Sequence, residues 1–210
     1  MARNLGPSCR LCRREGIKLM LKATRCETAK CAMEKQTRNK PPGVHSWRKG
    51  RASEYGIRLR EKQKVKRYYG ILERQFRSCF KQAERKPGNT GEALLCLLER
   101  RLDNVIYKMR FALSRSQARQ IIAQGHVKVN NHKVDIASYI VRAGDKITLK
   151  ASEKTLKMVK ASLELDPNAP LQDWLHVDPA VPEGTVVSLP NRDHVQIPVE
   201  EQLIVEFCSK

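Results

Sequence analysis

Four of the chain's seven cysteines fall within 23 residues, as Cys9-x-x-Cys12 and Cys26-x-x-x-x-Cys31. A segment this short cannot bury a core of its own, so any order it takes needs a staple. Two thiolates from one tight turn and two from another can surround a zinc ion tetrahedrally, and the metal then supplies the folding free energy. Cys9, Cys12, Cys26 and Cys31 would form a closed shell with no open position, so the zinc is expected to be structural, one per chain. Arg10, Arg13, Arg14, Lys22, Arg25 and Lys30 would offset the negative charge of such a centre while still facing outward. The spacing leaves a small iron–sulfur cluster open as an alternative. Redox chemistry at Cys9-x-x-Cys12 would call for a thioredoxin-like βαβ unit, of which the sequence gives no sign. The first residues lack the apolar stretch of a secretory signal, which points to a reducing, cytoplasmic setting in which disulfides are not expected.

Charge sets the class of partner. Over 210 residues, 41 Lys and Arg face 22 Asp and Glu, a formal net charge of +19. The excess is segregated: residues 1–90 carry a net +18, residues 91–165 a net +7, and residues 166–210 a net −6. A coat of lysine added for solubility would not leave an acidic last quarter, so the two basic segments are read as faces for a polyanion. Aromatic residues make up only 5% of the chain, too few for base stacking to be the main mode. Phosphate contact with shape readout is expected instead. No apolar run approaches the roughly 20 residues needed to span a bilayer, so no membrane partner is expected.

The periodicity outlines an α+β protein. Residues 38–51 form a basic linker broken by Pro and Gly. Gly56 to Arg85 has the spacing of an amphipathic helix, with Tyr68, Ile71, Leu72, Phe76 and Phe80 on its apolar side, ended by Pro87-Gly88. Thr90 is expected to cap a core helix running to about Arg110, with Leu94, Leu97, Leu98, Leu102, Val105, Ile106 and Met109 inward. Ser114 is expected to cap a second helix, Arg115 to Gln124, stopped at Gly125, with Arg115, Arg119 and Gln120 outward. The period then switches to two: Val127 and Val129, a turn at Asn130-Asn131-His132, Val134 and Ile136, then Ile147 and Leu149. A helix over Glu153 to Leu163 and strands at Thr185 to Leu189 and Gln202 to Phe207 complete the expectation. Three regions follow: a cysteine segment with its linker (1–51), a helical domain with a C-terminal return (52–90 and 166–210), and a module of two helices with a small antiparallel sheet (91–165).

Two stretches carry a family resemblance. Leu98 to Lys108, with Arg101-Leu102-Asp103-Asn104, followed by Phe111 to Ile122 and Gly125-His126-Val127-x-Val129-Asn130, resembles the RNA-binding module of bacterial small-subunit ribosomal protein four. Tyr55 to Phe76, with Leu59-Arg60-Glu61-Lys62-Gln63-Lys64-Val65, and Glu201 to Phe207 resemble the first domain and the C-terminus of the same family. The cysteine spacing looks like its zinc-carrying branch. The chain departs from the family pattern at Pro42-Gly43-Val44-His45-Ser46-Trp47, where Pro-Gly-x-His-Gly is usual, and at Cys208, where an aromatic residue is common.

The resemblance implies a primary assembly protein that binds a helix junction in the 5′ domain of small-subunit ribosomal RNA. It further implies a place beside ribosomal protein five at the messenger RNA entry region, with roles in decoding accuracy and, in some bacteria, in repressing its own operon. Arg48, Lys49 and Arg51 correspond to that entry region. The expected RNA contacts are Arg115, Gln117, Arg119, Gln120, His126, Lys128 and Lys133 in the module, and Arg58, Arg60, Lys62, Lys64, Lys66 and Arg67 in the helical domain. Neither a catalytic constellation nor a self-complementary face is evident, so a non-enzymatic protein that does not form homo-oligomers is expected. Arg101-Leu102-Asp103 echoes the triplet of pseudouridine synthases but sits inside the module. The competing readings are an RNA-modifying enzyme, for which no catalytic domain follows, and a zinc-dependent DNA regulator, for which no base-reading helix is apparent.

Overall fold

In the computed structural model the chain divides into two compact units, Met1–Leu94 with Gln196–Lys210, and Leu95–Val195. The structure describes residues 4–45, 50–51, 53–150, 157, 159–162, 172–178 and 182–209. No helix among these is long and apolar enough to cross a membrane.

The first unit begins with α1 (Ser8–Glu15), which turns off at Gly16, and a 3-10 turn at Ala23–Cys26. Helix α2 (Glu54–Tyr68) opens on Ser53, whose hydroxyl accepts from the Gly56 amide at 3.1 Å. This helix is built from Lys, Arg, Glu and Gln, residues with good helix propensity, and it buries only Lys62, Val65 and Tyr68. Helix α3 (Glu73–Glu84) buries Phe76, Phe80 and Ala83 on one stripe. The single helix expected over Gly56 to Arg85 is therefore two. The chain bends at Gly70, which takes φ +61°, and Leu72 is extended before α3 starts. Asn89, rather than Thr90, caps α4 (Thr90–Glu99), accepting from the Gly91 amide at 3.0 Å. The C-terminus returns to this unit as a helix, α7 (Glu201–Cys208), where a strand was expected. It lies along α2, with the Phe207 ring 5.3 Å from Tyr55 and 4.6 Å from the Lys62 ammonium. Aromatic and branched residues favour strands, but a stripe packed on another helix overrides that preference.

In the second unit the core helix expected over residues 90–110 is broken. The backbone of residues 100–102 leaves the helix to pair with residues 139–141: Arg101 bridges Ile140, Val141 donates to the Arg100 carbonyl, and Leu102 donates to that of Tyr139. Helix α5 (Leu102–Lys108) starts after this break. Helix α6 (Arg115–Ala123) is capped by Ser114 as expected, its hydroxyl accepting from the Gln117 amide at 3.3 Å. Five antiparallel strands follow, β1 (Val127–Val129), β2 (His132–Lys133), β3 (Lys146–Leu149), β4 (Leu175–Asp178) and β5 (Glu183–Val186). Their order in the sheet is β2-β1-β3-β5-β4. Asn130 and Asn131, at φ +50° and +67°, make the turn between β1 and β2 that their positions suggested.

The core of this unit is one cluster that joins Leu102, Val105, Ile106 and Met109 of α5 and its end to Ala118, Ile121 and Ile122 of α6 and to inward strand residues Val127, Val129, Ile147 and Leu149. Trp174, Leu175, Val177 and Val186 belong to the same cluster. Residues 172–195 therefore belong with the module, where the sequence had placed them in the helical domain: β5 pairs with β3, and Trp174 is buried in the shared core. Of the helix expected over Glu153 to Leu163, residues 157 and 159–162 are helical; the rest lies outside the described residues.

Candidate nucleic-acid interface

Strand β1 alternates strictly, with Val127 and Val129 buried and Lys128 exposed. In the β1/β2 register Lys128 stands directly opposite Lys133, and both are exposed. Like charges facing across a strand pair repel, so this arrangement disfavours the free fold and is relieved by an anion. Among the described residues neither lysine makes an ion pair; Asp103 goes to Arg101 and Arg119, and Glu183 goes to Lys146. The Lys133 side chain lies over Gly125, which holds φ +72° at the end of α6; a Cβ there would collide with the Lys133 Cε. Glycine at this position serves the helix stop, because its φ of +72° is one that side-chain-bearing residues rarely adopt.

His126 follows Gly125. Its carbonyl accepts from the Lys150 amide at 2.7 Å, and its Nδ1 is buried with no hydrogen-bond partner among the described residues. Gln120 is exposed, whereas Gln117 is half-buried with its side-chain oxygen accepting from the Leu113 amide at 2.8 Å. Lys128 and Lys133 are thus brought together on β1 and β2, with His126 just before β1, whereas Gln120 is exposed on α6. Lys146 and Lys150, both exposed, join them and were missed. Their signal was present, since Ile147 and Leu149 point inward and period two sends 146 and 150 out.

Arg115 is a correction. It is buried, not outward: its Nε donates to Asn104 Oδ1 at 2.8 Å, and its guanidinium lies 4.5 Å from the centre of the Tyr107 ring. Asn104 in turn donates to the Glu99 carboxylate at 2.5 Å and to its carbonyl at 3.0 Å. Lys108, also buried, is pushed below its ordinary pKa by burial, which the nearby Glu99 charge partly opposes. Arg119 is half-buried and donates from Nε to Asp103 at 2.6 Å. A charged network therefore ties Glu99 to α5 and α6 within this unit, and residues read as surface cations are members of it.

The α2 cations are arranged differently from the expectation. Lys62 is a second correction: it is buried, 2.7 Å from Glu73, and covers Phe207. Lys66 meets the same carboxylate at 3.2 Å, and Arg77 meets it at 3.1 Å. Burial alone would raise the Glu73 pKa, but hydrogen bonds from Lys62, Lys66 and Arg77 outweigh it and hold the carboxyl at about 2. Arg58 pairs with Glu206 at 2.6 Å and Glu54 at 3.0 Å; Lys64 pairs with Glu61. Arg60 and Arg67 share the buried carboxylate of Glu15, which burial pushes up in pKa against the pull of Arg67 and Arg60. Helix α2 uses five of these six cations to hold α1, α3 and α7, while Lys64 pairs within the helix. Arg51 is exposed; Arg48 and Lys49 lie outside the described residues.

The four cysteines of the first segment converge. Cys9, Cys12, Cys26 and Cys31 line one apolar cavity of about 10 Å³, closed by Leu21, Ala32 and Met33, roughly the space of one small sphere. The Lys22 amide donates to Cys26 Sγ at 3.3 Å. Burial raises the Cys12 and Cys26 pKa, and the neighbouring thiols add to the rise. Among the described residues no group of three or more His, Cys, Asp and Glu is arranged to hold a metal ion as it stands. The donor set suits zinc in its chemistry, with four soft thiols around one space and a backbone amide turned toward sulfur.

Comparison with known proteins matches residues 3–99 to the ribosomal protein S4/S9 N-terminal domain and residues 100–147 to the S4 domain. Small ribosomal subunit protein uS4 of Thermodesulfovibrio yellowstonii is 54% identical to this chain over 210 residues, and that of Thermoanaerobacter sp. (strain X514) is 51% identical. The uS4 protein of Thermus thermophilus is 48% identical over 211 residues, and all three alignments span the whole of both chains. The protein belongs to the uS4 family of small ribosomal subunit proteins.

Proposed function

We propose that this protein is a structural component of the small ribosomal subunit, in the cytoplasmic ribosome, and that it binds small-subunit ribosomal RNA through the exposed face of β1 and β2. The observation that carries this reading is the facing pair Lys128 and Lys133, with His126 just before the same strand. A like-charged cross-strand pair destabilises the free sheet, and a ligand of opposite charge relieves the repulsion. Phosphates suit the site better than base edges, because the side chains are flexible cations on a small sheet with no aromatic platform. Family membership supports the same reading and favours a structural over an enzymatic role.

The finer role follows the family. The protein nucleates assembly at a helix junction in the 5′ domain and later stands at the messenger RNA entry region beside ribosomal protein five, where it contributes to accuracy. Arg48, Lys49 and Arg51 serve that entry region, and the solvent-facing parts of Arg58, Arg60, Lys64, Lys66 and Arg67 add phosphate contacts. Cys9, Cys12, Cys26 and Cys31 hold one structural zinc, which gives a segment without a core its fixed shape.

The test is binding of the metal-assayed full-length protein to a 5′-domain ribosomal RNA transcript and to duplex DNA of equal length across a salt series. Tight binding to the RNA, strong preference over DNA at matched salt, and about one zinc per chain support the proposal. Equal and steeply salt-dependent affinity for both would refute the RNA reading, and a chain that folds with no metal would refute the zinc.

A further inference from the structure

The break at residues 100–102 brings two arginines together. Val141 donates its amide to the Arg100 carbonyl at 3.0 Å, and Arg100 Nε donates back to the Val141 carbonyl at 2.9 Å. Arg142 is thus the chain neighbour of the residue that Arg100 grips. Its own backbone is fixed as well. The Arg142 amide donates to Asp145 Oδ2 at 2.7 Å, and the Asp145 amide donates to the Arg142 carbonyl at 3.2 Å, in a turn that passes through Gly144 at φ +87°. Neither arginine is among the RNA contacts expected from the sequence, because no local pattern joins residue 100 to residue 142.

Among the described residues, no carboxylate pairs with either side chain. Arg142 is exposed, and its guanidinium makes no hydrogen bond or ion pair there. Arg100 is half-buried; Nε alone is engaged, and its two Nη groups reach solvent without a partner. Asp145, whose charge acts on Arg100, gives Oδ2 to the Arg142 amide and Oδ1 to the Asn130 side chain at 2.9 Å. Burial pulls the Arg100 pKa below its ordinary value, and the Arg142 charge adds to the fall. One cation suits the C-terminal end of a helix, where Arg100 stands. The second adds a repulsion that an anion would relieve.

Guanidinium chemistry narrows the anion. With Nε held, the Arg100 side chain has already lost rotamer freedom on folding, so less is lost when its Nη groups meet an oxyanion. A phosphate accepts several charge-assisted hydrogen bonds at once and so suits two guanidinium groups. We infer that Arg100 and Arg142 form a further phosphate site of the second unit, which holds one backbone phosphate of the bound RNA. The inference rests on the RNA-binding reading and extends it from the β1/β2 face to the break before α5, which gains a role besides packing.

The experiment uses the full-length protein with the 5′-domain transcript in a salt series. It compares wild type with Arg142→Gln, Arg100→Gln, the double variant, and Lys86→Gln, which removes one exposed charge from the first unit. Arg142→Gln should lower affinity about tenfold, with an unchanged urea midpoint because its side chain holds nothing in the fold. The double variant should flatten the log–log salt slope by about 0.7 to 0.9, the equivalent of one phosphate. It should also lose less affinity than the product of the single losses, since both arginines act on the same group. Lys86→Gln should leave the slope as it is. If Arg100→Gln does not fold, Arg142→Gln carries the test alone, with a flatter slope and an unchanged midpoint expected. A wild-type slope in Arg142→Gln, an equal flattening in Lys86→Gln, or losses that simply multiply in the double variant would overturn the inference. Inorganic phosphate separates the two sources of the anion. If it raises the urea midpoint of wild type but not of Arg142→Gln, while the RNA slopes of the two coincide, the site takes the free anion and the RNA assignment is overturned. Wild-type protein that fails to prefer the RNA would instead overturn the reading on which the inference rests.

Discussion

The two units handle positive charge in opposite ways. In the first unit the cations of α2 turn back onto the protein: Lys62 and Lys66 share Glu73, Arg60 and Arg67 share Glu15, and Arg58 spans Glu54 and Glu206. In the second unit the apolar cluster carries the packing, buried cations are confined to the network of Glu99, α5 and α6, and Lys128 and Lys133 stay on the exposed face. A charge count per segment therefore does not show which cations are tied into the fold and which stay exposed. Cations on a helix whose neighbours carry glutamates become clamps, whereas Lys128 and Lys133 face each other across β1 and β2 and, among the described residues, make no ion pair.

This contrast is sharpest under core truncation. Trp174→Ala in the second unit should cost about 4 kcal/mol of unfolding free energy, because a fully buried large ring leaves a cavity; urea denaturation followed by circular dichroism reads it. Glu73→Gln in the first unit should cost less, about 2 kcal/mol, since Lys62 is left buried with a weaker partner while Lys66 and Arg77 remain near solvent. A Glu73 loss as large as that of Trp174 would break the comparison and show the clamps to be as central as the core.

Acid separates the units further. The Glu73 carboxyl is held at about 2 against an ordinary 4.5, so its contribution is complete above pH 4.5 and is lost as pH falls toward 2. The stability gap between wild type and Glu73→Gln should narrow across that window in urea titrations, and a gap constant with pH would assign the effect to packing rather than charge. The smallest effects are the most diagnostic of the interface. Lys128→Ala and Lys133→Ala should each flatten the RNA-binding salt slope by about 0.7 to 0.9 while leaving the urea midpoint unchanged. Lys66→Ala should lower the unfolding free energy by about 0.5 to 1 kcal/mol and change the slope less. Reversal of those two outcomes would move the interface onto α2.

Much of this arrangement is legible in local sequence. Ser114 as a cap, Gly125 as a stop, and Asn130-Asn131 as a turn are dictated by the backbone conformations that those residues satisfy best, and each forms as expected. The inward faces of α6, β1 and β3 follow from spacing alone. Arg115 and Lys62 were misread for one reason: a long cationic side chain extends several ångströms from its backbone, and its partner is set by elements far along the chain. Asn104 is 11 residues from Arg115, and Phe207 belongs to a helix at the far end of the sequence.

The same reason accounts for the larger departures. The break at residues 100–102 exists because residues 139–141 offer their backbone groups, and no local pattern records that offer. Helix α7 is helical because α2 presents Tyr55 and Lys62 to Phe207, and the last strands join the module because Trp174 fills its core. The sequence by itself determined the family, the class of partner, the Ser114 cap, the Asn130-Asn131 turn, and the alternation that places Lys128 and Lys133 outward, since each depends on residue type and short-range spacing. Tertiary structure alone decided which cations become clamps and which stay exposed, because an ion pair depends on distance in space and on burial, and both are set only when the units close around their cores.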